Sequence, residues 1–309
     1  MSAGLAGCWY DLSGFDALPP DSGAGEIVAS DRQGVTSLAA SDVDLYWTTS
    51  GAGSGAIETC PIESCTKPAS VAQGGHPVAL AWVDRLLWGE DASYGVLDSD
   101  GNLDRCEAFG AVPWVASGGA TGFYAHEGDI VIIQTWPCTS TTHVKTAHAA
   151  VAAASGKALA WITTGGEVRF CGNPCSGTGT VVAPDESPVA IAMDASAVYW
   201  TTADGRIRRI DHDGKSVTSA TPSDVATGLP SPAALAPDAS GPMLYFTARG
   251  TAGAGYLDGI VGKIAKVPAP GDQPTVIADG QARPEALVVT AKYVFWADTY
   301  DATIRKAAK

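Results

Sequence analysis

A short hydrophobic segment with an aromatic residue at its centre returns seven times along the chain, and that recurrence restricts the fold more than any other feature. In order, the segments are Leu45-Tyr46-Trp47-Thr48-Thr49, Leu86-Leu87-Trp88-Gly89-Glu90, Val131-Ile132-Ile133-Gln134, Leu159-Ala160-Trp161-Ile162-Thr163, Val198-Tyr199-Trp200-Thr201-Thr202, Leu244-Tyr245-Phe246-Thr247 and Val294-Phe295-Trp296-Ala297-Asp298. Six of the seven carry an aromatic at one equivalent position. With residues 47, 88, 132, 161, 200, 246 and 296 as anchors, the steps are 41, 44, 29, 39, 46 and 50, a mean of about 41.5. Repeats of ~40–50 residues are the length of a four-stranded unit that stacks on copies of itself.

The neighbours of each anchor repeat as well. Upstream lies a short apolar run: Val35 to Ala40, Val78 to Val83, Val189 to Met193, Ala233 to Ala236, Ala286 to Val289. Tight turns such as Asp194-Ala195-Ser196 join these runs to the aromatic segments. Downstream, Gly205-Arg206-Ile207-Arg208-Arg209-Ile210, Gly166-Glu167-Val168-Arg169-Phe170 and Ala302-Thr303-Ile304-Arg305-Lys306 alternate apolar with charged residues, the period of a half-buried strand. A fourth run of Val, Ala and Thr follows, as in Ser70-Val71-Ala72 or Thr180-Val181-Val182-Ala183.

A single four-stranded sheet of this pattern leaves both apolar faces in water, so the sheets must stack and the stack must close. The expected fold is all-β: a seven-bladed β-propeller over residues 26–309, preceded by a tail over residues 1–25. The chain stops at Lys309 just after a third strand, and Glu26-Ile27-Val28-Ala29-Ser30 is free to supply the missing outer strand and tie the two ends together. The third repeat fits poorly, with 29 residues between Ile132 and Trp161 and no aromatic. It reads as a degenerate blade without its outer strand, and it leaves a six-bladed ring as the alternative.

Composition agrees with short strands and many turns: 36 Gly and 19 Pro without a collagen period, and 17% charged residues against the usual quarter. The formal charge of −14, from 19 Lys and Arg against 33 Asp and Glu, disfavours nucleic acid and anionic lipid as partners. No stretch approaches the ~18–20 apolar residues of a membrane helix.

Seven cysteines are present. Cys60 and Cys65 flank a Pro-bearing turn, as do Cys171 and Cys175, while Cys106 and Cys138 stand in separate segments. The close pairs could be zinc half-sites, but they lack the paired spacing of a zinc ribbon and have no histidine beside them. Disulfides within an exported protein are the expectation for these six. The remaining Cys8 ends Leu5-Ala6-Gly7-Cys8, which resembles a bacterial lipobox, although no basic and long apolar leader precedes it. The resemblance implies a lipid anchor at Cys8 and an extracytoplasmic location, whether secreted, periplasmic or on the cell surface.

The aromatic strands resemble the YWTD repeats of the low-density lipoprotein receptor propellers. Phe295-Trp296-Ala297-Asp298 with Ile304-Arg305-Lys306, and Tyr199-Trp200-Thr201-Thr202 with Gly205-Arg206-Ile207, carry the likeness. The chain is similar too to secreted bacterial proteins with Val-Tyr-Trp-Thr strands followed by Cys-Pro-x-x-x-Cys, as at Cys60 to Cys65. Most repeats have Thr where the motif has Asp. The likeness implies a fold and, by analogy alone, binding of a protein, peptide or glycan without catalysis.

In a propeller, the outer-to-inner loops and the turns between the two middle strands share one face. They are expected to present Gln33, His76, Glu186, Ser231 and Arg283 from the first class, and Glu90, Asp91, Gln134, Trp136, Asp204, Arg249, Asp298 and Tyr300 from the second. The loop from Arg249 to Gly259 is the longest and could overhang that face. The alternative for any one of these residues is that it solvates a turn.

Catalytic patterns are thin. His126-Glu127 could act as base and acid, on the opposite face in this register. Seven-bladed lyases of the virginiamycin B group use a metal with His and Glu at the channel mouth. His76 and Glu186 could imitate that with Ca or Mg in a metal-dependent lyase or lactonase, without the surrounding motif. Asp98-Ser99-Asp100-Gly101-Asn102 begins like a calcium loop but meets Phe109 at its twelfth position. Asp211-His212-Asp213-Gly214 reads as a hairpin turn. A non-enzymatic binding propeller without a cofactor is the leading expectation, and a structural envelope component is the third.

Overall fold

The computed structural model describes residues 25–309 except 52–53, 83, 99, 108–110, 119–120, 127–128, 136–138, 145–147, 176, 185 and 253–256. Within the described residues there are 28 strands and no α-helix. The strands form seven antiparallel four-stranded sheets, the blades of a propeller. Six blades are contiguous meanders over residues 38–73, 79–107, 115–144, 149–183, 188–226 and 232–281. The seventh takes Pro284–Val289, Tyr293–Asp298 and Thr303–Ala308 and receives Glu26–Ala29 as its outer strand. Glu26 pairs with Lys306 and Ile27 with Arg305, so the two ends of the chain close the ring as the sequence suggests. Each inner strand packs on the next, including that of blade 7 on that of blade 1.

The two central residues of each second strand, at least one of them aromatic, bind blade to blade. Successive strand residues face opposite sides, so Trp47 packs on Phe295 and Ala297 of blade 7 while Tyr46 packs on Leu80 and Trp88 of blade 2. Trp200 likewise reaches Ala160 and Phe170 of blade 4, and Tyr199 reaches Leu244 and Phe246 of blade 6. Trp47, Trp88, Trp161, Trp200 and Trp296 are each 0% exposed. A ring of that size contributes about 4–6 kcal/mol of transfer free energy when fully buried. Where the third-strand partner is glycine, the ring lies over it: a Cβ on Gly95 would sit 1.9 Å from the Trp88 ring.

Blade 3 corrects the sequence reading. It has all four strands, and its aromatic strand is Thr121–His126, not the segment around Ile132. Ile132 belongs to the third strand, Asp129–Thr135, and pairs with Phe123. Tyr124 fills the anchor position, 36 residues after Trp88 and 37 before Trp161, and stacks on Tyr94 of blade 2 at 4.6 Å. Phe123 turns the other way, onto Leu159 and Trp161 of blade 4. The seven-fold repeat is thus complete, and the six-bladed alternative falls.

The Thr after the aromatic pair has a structural task. The inner strands of blades 5 and 6 slip register between Pro188 and Ile191 and between Pro232 and Leu235. Thr201 Oγ1 accepts the Ala190 amide there, and Thr247 Oγ1 the Ala234 amide, each at 3.0 Å. These hydroxyls replace ladder bonds the bulge removes. Thr247 also donates to the Glu285 carbonyl of blade 7 at 2.9 Å.

Cys60–Cys65 and Cys171–Cys175 are disulfides, and Cys106 is disulfide-bonded as well. These cysteines are therefore not zinc half-sites. Cys138 and Cys8 lie outside the described residues.

Candidate functional site

The inner strands run from a face built by outer-to-inner loops and middle-strand turns, here the upper face, to a lower face of inner-to-second turns. Their half-buried residues include the small apolar Ala79, Ala153, Ala190, Ala234 and Ala286, so small side chains line much of the axis between an upper and a lower mouth.

At the upper mouth three blade elements meet. Glu285 opens the inner strand of blade 7, and Arg249 from the blade 6 middle turn binds it bidentately, with both bonds at 2.8 Å. Arg283 Nε lies 2.9 Å from the same carboxylate. Two guanidinium groups on one carboxylate leave one net positive charge at the mouth of a chain whose formal charge is −14. The backbone fixes this cluster. Arg283 sits at φ 60°, and Ser231, Ser187 and His148 hold similar left-handed angles at the same place in blades 6, 5 and 4. The Arg283 carbonyl accepts the Thr299 amide, and that of Ser231 accepts the Arg249 amide, so each loop is clipped to its neighbouring turn. Asp258 accepts the amide and hydroxyl of Thr251 and pins the described base of the long loop. Tyr300, 69% exposed, stands on the adjoining blade 7 turn. Sequence reading picked out Arg249, Arg283 and Tyr300 but missed Glu285, whose one signal was its place beside Pro284 at the head of an inner strand.

Other expected residues are brought to this face and used there. His76 Nδ1 and Asp91 Oδ2 are 2.6 Å apart on the rim of blade 2, both well exposed. Glu90 is buried and accepts the Trp88 indole N–H at 2.7 Å. Glu186 accepts that of Trp200 at 2.9 Å and meets Arg208 at 3.1 Å. Asp204 pairs with Arg206 at 2.8 Å and accepts the Thr202 hydroxyl. Asp298 is 1% exposed, with Arg305 Nε at 3.0 Å. Burial, then repulsion from Asp301, pushes its carboxyl up to about 7 against the pull of Arg305. The Gln33 carbonyl accepts the Ser50 amide.

Two placements, those of Gln134 and His126, differ from expectation because blade 3 was misregistered. Gln134 lies near the far end of the third strand, toward the lower face. Trp136, expected beside it, is outside the described residues. His126 ends the second strand and so stands at the upper face rather than the lower, while Glu127 is outside the described residues. The calcium-like loop is an Asx turn, with Asp98 accepting the amides of Asp100 and Asn102. His212 is buried against Phe170, and burial lowers its pKa.

His76 and Glu186 do not fit a shared metal. One is paired with Asp91 on blade 2 and the other is held by Trp200 and Arg208 of blade 5. Among the described residues no group of three or more His, Cys, Asp and Glu is placed to hold a metal ion.

The lower mouth holds a cavity of about 360 Å³ that the sequence did not announce, lined by the inner-to-second turns of blades 1, 6 and 7, by Ile62 and Glu63 after the third strand of blade 1, and by Trp82. Within the described inner strands Trp82 is the one tryptophan, and that was its signal. Ion pairs on this face join neighbouring blades, 5 to 6, 6 to 7 and 7 to 1. Lys266 meets Asp194 at 2.9 Å, Lys309 meets Asp238 at 2.6 Å, and Lys292 of blade 7 meets Glu63 of blade 1 at 2.7 Å. Burial opposes the charge of Asp194, but Lys266 and Ser196 outweigh it and hold the carboxyl at about 2.

No family model matches the chain, and no curated protein sequence matches it. Among solved structures it is similar to virginiamycin B lyase from Staphylococcus aureus, with TM-score 0.59 and 14% identity over 92% of this chain and 97% of that one. The Pan2 WD40 domain of Neurospora crassa gives 0.63 and 10% over 92% and 89%, and the computationally designed protein Ika8 gives 0.59 and 16% over 92% and 100%. At these identities the likeness shows the seven-bladed propeller fold and nothing about chemistry.

Proposed function

We propose that this chain is an exported, YWTD-like binding propeller that recognises a protein, peptide or glycan on its upper face, through a carboxylate presented to Arg249 and Arg283. The observation that carries the reading is the convergence of both arginines on Glu285 at the channel mouth, beside exposed Tyr300. A planar guanidinium fork matches a carboxylate and is the group of choice for such contacts. Mixed charge next to an exposed aromatic is the usual make-up of a binding rim. The disulfides Cys60–Cys65 and Cys171–Cys175 support an oxidising compartment. Lipidation at Cys8 is part of the proposal.

The test is a screen of the full chain on peptide and glycan arrays beside the Arg249→Ala, Arg283→Ala double variant. The expected result is a set of acidic ligands whose affinity falls at least ten-fold in the double variant with an unchanged circular dichroism spectrum. Ligands bound equally well by both proteins, or no saturable ligand on either array, would overturn it.

A further inference from the structure

We propose that the lower mouth is a second, independent site that takes a cationic group: the ammonium or guanidinium of a basic peptide side chain, or of a small free amine. Its volume of about 360 Å³ falls in the range of ligand pockets. Ala40 and Val289 contribute an apolar floor and Trp82 a wall. One face of Trp82 lies on Tyr46, with centroids 5.6 Å apart and planes 12° from parallel, which fixes the indole in place. Four charged residues line the cavity: Asp42, Glu63, Asp238 and Lys292. Lys292 pairs with Glu63 and Lys309 with Asp238, so the exposed Asp42 leaves the group with one net negative charge, and an indole face attracts a cation through its quadrupole.

The carboxylates are held ready. Asp238 is buried, which disfavours its charge, yet Lys309 and the Ser240 amide and hydroxyl keep its pKa below the ordinary value, so it is ionised at neutral pH. Glu63 is positioned by Lys292 and by the Tyr293 hydroxyl at 3.2 Å, within the turn closed by Cys60 and Cys65. Asp42 is exposed at the tip of its turn beside Val43, which is 67% exposed and gives the rim an apolar shoulder for the rest of a peptide. An anionic ligand would meet the exposed Asp42 carboxylate without a gain to offset it.

The experiment is calorimetric titration of the full chain with acetyl-Gly-Lys-Gly-amide and acetyl-Gly-Arg-Gly-amide, with the norleucine peptide as uncharged control, and with tetramethylammonium chloride as competitor. The basic peptides should bind and the norleucine peptide should not. Affinity should fall at least ten-fold in Trp82→Leu and about three-fold in Asp42→Asn. The second variant changes an exposed side chain and keeps the test valid if the first fails to fold. Displacement of the peptide by tetramethylammonium at equal concentration supports the site and assigns it to small amines. Displacement only at large excess supports it and assigns it to peptides. Equal binding of lysine and norleucine peptides, no saturable binding of either basic peptide at millimolar concentration, or wild-type affinity in Asp42→Asn would sink the proposal. Because the site lies on the face away from Arg249 and Arg283, its failure and that of the upper-face reading are separable.

Discussion

Glu186 accepts the indole N–H of Trp200 at 2.9 Å from a loop that joins the preceding blade to the inner strand of its own. The same bond recurs from Trp47 to Glu58 at 2.8 Å, Trp88 to Glu90 at 2.7 Å and Trp296 to the Gln281 side chain at 2.9 Å. An arginine backs three of the carboxylates: Arg32 on Glu58, Arg105 on Glu90 and Arg208 on Glu186. A buried indole N–H without an acceptor is costly, and in blades 1, 2, 5 and 7 a polar side chain meets it. Among the described residues, Trp161 Nε1 of blade 4 is a buried indole nitrogen left without a hydrogen-bond partner.

Removing that acceptor should therefore cost stability without touching a ligand. Glu186→Ala strands the Trp200 N–H and is expected to destabilise by about 1.5–3 kcal/mol. Arg208 keeps Asp224 at 2.9 Å and limits the loss. Glu186→Gln retains an acceptor and should cost clearly less. Guanidinium unfolding midpoints of the two variants measure the difference, and equal midpoints would show that the indole bond contributes nothing.

Thr247 ties a strand bulge to the site. Its hydroxyl accepts the Ala234 amide and donates to the Glu285 carbonyl, and the residue is 0% exposed. Thr247→Val keeps the shape and leaves both backbone groups unpaired, a cost of about 1–3 kcal/mol for each buried group. It should also loosen Glu285 and so weaken any ligand that depends on Arg249. Thr247→Ser, which restores the hydroxyl, should recover the affinity of such a ligand even if some stability is lost. Failure of the serine variant to recover binding would separate Glu285 from Thr247.

How much of this was legible in the sequence follows from what repeats locally. The aromatic spacing and the spare strand Glu26–Ala29 gave the ring and its closure because both are local patterns. Blade 3 was misread because Ile130-Val131-Ile132-Ile133 is more hydrophobic than Gly122-Phe123-Tyr124-Ala125, and a hydrophobic criterion chose the third strand over the second. The indole acceptors were invisible for a different reason. Glu58 comes from a third strand, Glu90 from a turn, Glu186 from an interblade loop and Gln281 from an outer strand, so they converge in space and share no offset in sequence. The lower cavity was hidden because turns such as Ser41-Asp42 and Asp238 to Ser240 lie far apart in sequence until the ring sets them around one axis.

Asp298 makes stability depend on pH in the less common direction. Its folded carboxyl is raised to about 7, chiefly by burial, while in the unfolded chain it ionises near the ordinary aspartate value of about 4. Between those values the folded state holds a proton that the unfolded state has lost. Its contribution therefore favours folding at low pH and declines as pH rises from about 4 to about 7, with no further change above that. Asp298→Asn removes the dependence. The variant should gain in melting temperature relative to the parent at pH 7.5, and the gain should shrink toward pH 5. A gain independent of pH would mean that Asp298 is ionised throughout.

Ring closure is reinforced at the lower face by the turn between Cys60 and Cys65. That turn holds Glu63, whose carboxylate takes Lys292 Nζ at 2.7 Å and the Tyr293 hydroxyl at 3.2 Å, and its carbonyl lies 3.5 Å from Lys306 Nζ. All three partners belong to blade 7, so the disulfide turn of the first blade is the latch on the last. A loop this short contributes about 2 kcal/mol by chain entropy. The Cys60→Ser, Cys65→Ser variant should lose about that much and also expose the seam between blades 1 and 7. Amide exchange should then accelerate in Glu26–Ala29 and Thr303–Ala308, the two strands that close the ring. The turn between Cys171 and Cys175 bonds instead to blade 5, through the Asn173 amide and the Gly214 carbonyl, so the matching variant there should lose stability while leaving exchange in those strands unchanged. Equal exchange in both variants would show that the closure rests on strand pairing alone.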